Sequence, residues 1–113
     1  MKWIQLESEA QLAELATLSE QTPVLIFKHS TRCYISKTVL KNFENTYRED
    51  DKVATYFLDL IAFRAISNKI AEDYQVVHQS PQLIVIYKNE VIYHASHSDI
   101  DADAVLKAVN AKL

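Results

Sequence analysis

The stretch Pro23-Val24-Leu25-Ile26-Phe27-Lys28-His29-Ser30-Thr31-Arg32-Cys33-Tyr34-Ile35-Ser36-Lys37 holds the chain's only cysteine. Thr22 to Lys28 is a continuous apolar run of strand length with no alternation, which predicts a central strand buried on both faces. A short polar link, Lys28 to Arg32, then delivers Cys33 to a segment of helical period carried by Ile35, Val39, Leu40 and Phe43. A strand that hands a cysteine to a helix N-terminus is a setting for a reactive thiol. Free backbone N–H groups and the positive end of the helix dipole favour thiolate over thiol. With one cysteine in 113 residues, an internal disulfide is impossible. Redox chemistry here must pass through a mixed disulfide with another molecule.

Outward from this stretch, the elements alternate. Trp3 to Leu6 reads as an edge strand. Ser8-Glu9-Ala10-Gln11 reads as a capping box, with Leu12, Leu15 and Leu18 on the helix behind it, from about Glu9 to Ser19. The helix after Cys33 is predicted to end near Tyr47. Val53 to Leu60 is the next strand, and Ala62 to Tyr74 a helix with Ile66 and Ile70 one turn apart. Gln82 to Tyr87 and Val91 to His94 are short strands around a turn at Lys88-Asn89-Glu90, where Asn89 is expected to take the left-handed dihedral. Asp99 or Asp101 caps a final helix. The order β-α-β-α-β-α-β-β-α predicts one α/β domain over residues 1–113: a mixed central sheet, with helices on both faces and a late antiparallel hairpin.

Composition narrows the function. Apolar residues make up 49% of the chain, which suits a packed core. No run approaches a membrane span, and the N-terminus does not read as a signal peptide. With the single cysteine, this predicts a cytoplasmic protein without a membrane partner. The net charge of -3 gives no footprint for nucleic acid. Between Gln21 and Phe43, however, there is no acid and there are four bases, Lys28, Arg32, Lys37 and Lys41. A positive patch is therefore expected around Cys33. Glycine is absent, which excludes glycine-based phosphate loops and leaves tight turns to Asn, Asp or Ser. The four histidines show no ligand spacing, so no metal site is expected.

Two segments carry a resemblance. Phe27 to Ser36, with the histidine-serine-threonine lead-in to Cys33, and His78-Gln79-Ser80-Pro81-Gln82 are similar to the monothiol bacilliredoxin family of the thioredoxin-like superfamily. Cys33-Tyr34-Ile35-Ser36 stands where that superfamily has C-x-x-C, with serine in the second cysteine's place. The resemblance implies a three-layer thioredoxin-like fold and a cis peptide at Ser80-Pro81. It implies a monothiol thiol-disulfide oxidoreductase that removes bacillithiol from mixed disulfides on cytosolic proteins through Cys33. No bound cofactor is implied; bacillithiol serves as co-substrate thiol, and bacillithiolated proteins are the clients. Many members have proline after the cysteine. Tyr34 stands there instead, placing an aromatic ring beside a bound thiol.

The resemblance and the residue chemistry together name the candidate site. Cys33 is the nucleophile. For Ser36 two readings stand, a hydroxyl bonded to the thiolate or a helix-start serine bonded to backbone. For His29 there are also two, proton exchange with the leaving thiol or packing at the strand end. Arg32 and Lys37 are candidates to bind the carboxylates of bacillithiol, against the alternative of solvated surface charge. The backbone at Ser80, before Pro81, is a candidate to pair with an incoming peptide as an added strand. Two further functions remain open on residues alone. One is a glutaredoxin-like iron–sulfur carrier, which the lack of glycine disfavours. The other is a non-catalytic interaction module of the same fold, which Cys33 disfavours.

Overall fold

The computed structural model describes all 113 residues, Met1 to Leu113. Its elements are β1 Ile4–Gln5, α1 Glu9–Ser19, β2 Val24–His29, α2 Tyr34–Thr46, β3 Ala54–Asp59, α3 Arg64–Tyr74, β4 Gln82–Tyr87, β5 Glu90–Ser96, a short 3-10 turn His97–Asp99, and α4 Ala102–Lys112. The strands form one mixed sheet in the order β1-β3-β2-β4-β5. β3 lies parallel to β1 and β2; β4 runs antiparallel to β2 and β5. All six residues of β2 are buried, as its unbroken apolar run requires of a strand covered on both sides.

Alternation along β2 divides the core in two. Val24 and Ile26 pack with Leu12 and Leu15 of α1 and Ile66 and Ile70 of α3. Leu25 and Phe27 pack with Phe43 of α2 and Val105 and Val109 of α4. Side chains of successive strand residues point to opposite faces, so this split continues to the end of the strand.

Local signals account for the helix starts. Ser8 Oγ accepts from Gln11 N–H at 3.3 Å, and Gln11 Oε1 accepts from Ser8 N–H at 3.1 Å. Asp101, not Asp99, caps α4, with Oδ1 accepting from Asp103 N–H at 3.1 Å. The turns depart from the expectation for a chain without glycine. Four residues have positive φ, namely Gln75, Lys88, Asn89 and His97, and only Asn89 is of the expected type. Tertiary hydrogen bonds hold two of the others. Lys88 N–H donates to Ser19 O at 2.6 Å, and His97 N–H to Pro81 O at 2.9 Å. The hairpin loop is therefore Lys88-Asn89, with Glu90 already in β5. A two-residue turn of this hand needs positive φ at both positions, so Lys88 must follow Asn89.

Candidate active site

Register brings the two sequence segments together. In the antiparallel pair, Lys28 near the end of β2 faces Gln82 at the start of β4. The loop leaving β2 and the loop entering β4 therefore emerge at the same end of the sheet. The first carries Cys33 and the second carries Ser80–Pro81, whose peptide bond is cis. His97, which bonds the Pro81 carbonyl, belongs to a turn that packs against α2.

Cys33 is half-buried and is the N-cap residue of α2. Its N–H donates to Ser30 O and its carbonyl accepts from Lys37 N–H, both at 3.2 Å, which fixes the turn into the helix. The Cys33 side chain makes no capping hydrogen bond, so the sulfur sits at the positive end of the helix without a side-chain partner. Arg32, Tyr34 and Lys37 are exposed around it, with Tyr34 at 83%. Ile35, expected on the buried stripe of α2, is instead 56% exposed beside Tyr34; the buried face at this end is taken by Ser36. Neither Arg32 nor Lys37 is in an ion pair.

Ser36 is fully buried. Its Oγ accepts from Ser30 N–H at 3.1 Å and lies 2.7 Å from His29 Nδ1. No bond joins it to Cys33. Nδ1 is the one acceptor in reach of the Ser36 O–H, so the network assigns donation from Ser36 to His29 and places the imidazole proton on Nε2. His29 is 6% exposed and packs on the Phe57 ring, with centroids 5.5 Å apart. Burial pushes its pKa below the usual histidine value; Lys37 acts in the same direction, and Asp59 and Glu44 oppose. The imidazole is thus neutral at pH 7. The pair forms a buried staple under the Ser30–Cys33 turn.

Lys28 corrects the expected basic patch. It is fully buried, on the face opposite His29, and donates from Nζ to Ser67 O at 3.0 Å. Burial lowers its pKa to about 8. The exposed bases of this stretch are therefore Arg32, Lys37 and Lys41. The sequence carried one sign of the burial: Lys28 directly continues an apolar run whose neighbours are all inside.

On the other loop, neither the N–H nor the C=O of Ser80 has a hydrogen-bond partner within the chain. The Ser80 hydroxyl is buried and unpartnered. A free backbone edge of this kind can accept an extended peptide. None of the surface hollows is lined by Cys33. No three His, Cys, Asp or Glu side chains gather as a metal-binding group, and no helix is long and apolar enough to cross a membrane.

Known proteins agree with this architecture. A thioredoxin-fold protein provisionally assigned as an oxidoreductase superposes with a TM-score of 0.79 at 28% identity, over 94% of this chain and 92% of its own. Thioredoxin from Trypanosoma brucei brucei gives 0.75 at 16% identity, over 98% and 90%. Thioredoxin from Schistosoma mansoni gives 0.73 at 16%, over the whole of both chains. At that identity the last two speak for the fold alone. The family model for monothiol bacilliredoxin BrxC matches residues 4–105, including both loops. The family match and the thioredoxin fold support a thiol oxidoreductase role, with the lone thiol at a helix N-cap and the Ser80–Pro81 loop at the same end of the sheet, and the chain belongs to the monothiol bacilliredoxin family.

Proposed function

We propose that this protein removes bacillithiol from mixed disulfides on client proteins. The Cys33 thiolate attacks the bacillithiol sulfur of the mixed disulfide. The client sulfur leaves with the electron pair of the broken S–S bond and takes up a proton as free thiol. Cys33 now carries bacillithiol in a new disulfide. A second bacillithiol, as thiolate, attacks that disulfide, releasing oxidised bacillithiol and regenerating Cys33. The second thiol supplies the reducing equivalents, so no bound cofactor is needed. This chemistry belongs in a reducing, cytoplasmic compartment.

One observation carries the reading: the position where a dithiol enzyme keeps its resolving sulfur holds Ser36, which is buried and bonded to His29 and Ser30. A mixed disulfide on Cys33 has no internal route of escape and must wait for an external thiol. The free Ser80 backbone supports docking of a client chain, and the exposed Arg32 and Lys37 support capture of bacillithiol carboxylates. The test is intact mass after exposure to oxidised bacillithiol. We expect a single bacillithiol adduct, removed by free bacillithiol, and none on Cys33→Ser. Failure of the wild-type chain to take up the adduct would overturn the reading.

A further inference from the structure

The interior behind the Ser80–Pro81 loop holds polar groups that the chemistry at Cys33 does not use. Lys28 has three N–H donors and one hydrogen bond, to Ser67 O at 3.0 Å. Its cross-strand neighbour Gln82 is 1% exposed and donates from Nε2 to Val77 O at 2.9 Å. The Gln82 Oε1 is buried and unpartnered. Ser67 is fully buried, and its Oγ lies 3.3 Å from His78 Nδ1. These contacts tie β2, α3 and β4 to Val77 and His78, just ahead of Ser80.

The tied segment has no other hydrogen bonds. From Val77 to Ser80 the backbone makes no backbone–backbone hydrogen bond, and Val77 is 79% exposed. Its conformation depends on packing and on the two side-chain bonds from Gln82 and Ser67. Lys28 lies opposite Gln82 across the strand pair and bonds the backbone carbonyl of Ser67. The ammonium also reaches the loop electrostatically: burial chiefly lowers the basicity of His78, and Lys28 and then Arg64 add to it. A lysine here is unfavourable for stability alone. Replacing a buried charge by an apolar chain of equal length is often neutral or stabilising.

We propose that Lys28 is a positioning residue: bonded to Ser67 and set beside Gln82, it holds Val77–Ser80 in the form that offers the free Ser80 backbone to a client disulfide. The part concerning clients rests on the function proposed above. The test is Lys28→Met, which keeps chain length and removes the ammonium. The first readout needs no substrate: amide order parameters of Val77 to Ser80, by NMR relaxation, should fall from about 0.85 toward 0.6. The second is kinetic. KM for a bacillithiolated client should rise roughly tenfold, the effect of one modest hydrogen bond, with kcat changed less than twofold. Alkylation of Cys33 by iodoacetamide should be unchanged. If Lys28→Met does not fold, Lys28→Leu, an apolar chain suited to the buried strand, removes the same ammonium from Ser67 O and should loosen Val77 to Ser80 alike. Order parameters at the wild-type value in the folded variants overturn the proposal. So does an alkylation rate that falls while KM rises, which would place the effect at the thiol. A wild-type chain inactive on bacillithiolated protein defeats the earlier reading instead, and leaves the order parameters to judge Lys28.

Discussion

Lys28 and His29 adjoin in the chain and occupy opposite faces of the same strand end. Both are basic and both are buried, yet the structure treats them differently. His29 can lose its charge near neutral pH, and it does: a neutral ring packs on Phe57 and accepts the hydrogen bond from the Ser36 hydroxyl. Lys28 meets only a carbonyl, and its pKa of about 8 leaves it largely charged at pH 7. The His29 face secures the loop that carries the nucleophile. The Lys28 face adjoins the loop that would receive the client. One strand thus sets both sides of the site, through two adjacent residues and two independent layers of packing.

The largest effect comes from removing the atom that both sides serve. Cys33→Ser should abolish all thiol transfer and leave the fold intact, since the replacement is close in size at a half-buried position. Transfer surviving in that variant, measured as release of free client thiol, would sink the monothiol mechanism.

Next, Ser36→Ala breaks the His29 face alone. It leaves the Ser30 N–H and His29 Nδ1 without partners inside the protein. A loss of about 2 kcal/mol is expected in urea unfolding, from buried groups left unsatisfied. Order in Val77 to Ser80, on the other face, should not change. Equal loosening of both loops would show that the two faces are not independent.

The two residues should also separate by pH. Each is a cation whose pKa is lowered on folding, so for each the unfolded state binds more protons and stability rises with pH across the shifted range. For Lys28 that range runs from about 8 to the ordinary 10.5, with a slope of up to about 1.4 kcal/mol per pH unit. For His29 the range lies below 6.5, so stability is lost as pH falls through it. Lys28→Met should flatten the alkaline limb and keep the acid limb. His29→Asn should reduce the acid limb, with His78 supplying the remainder. The alkaline limb is best read between pH 8 and 10. Above that, Tyr47, pushed up to about 12 chiefly by burial, stays neutral folded and ionises unfolded, which lowers stability. An alkaline limb unchanged in Lys28→Met would remove Lys28 as its source.

Arg32 belongs to neither face, being exposed at the rim. Arg32→Ala should slow reaction with a bacillithiol-capped substrate about tenfold more than with a neutral disulfide, if it clamps a carboxylate. The excess should shrink with salt, and both pH limbs should stay as they are. Equal losses on the two substrates at low salt would refute the clamp.

Local chemistry made much of this legible in the sequence. The apolar run of β2, the helical spacing after Cys33, the Ser8 capping box and the count of one cysteine each depend on near neighbours. They were enough for the element order and for the absence of an internal disulfide. The partners of Ser36 were harder. A serine in the first turn of a helix has backbone, thiolate and imidazole all within conceivable reach, and nothing within a few residues chooses among them. The choice came from β2 carrying His29 inward beneath the turn.

The remainder belongs to tertiary structure, because its partners are far apart along the chain. Lys28 finds Ser67 39 residues away, and Lys88 takes its dihedral with the help of a hydrogen bond to Ser19. Periodicity marks which residues are apolar; it does not mark which polar residue a fold will bury, since that depends on the acceptor waiting on another element. The amino-acid order by itself determined a lone thiol at a strand-to-helix junction. Only the packed sheet decided that Lys28 would leave the basic surface, that Ser36 would face His29 instead of sulfur, and that the Ser80 backbone would stand unpaired at the same end as Cys33.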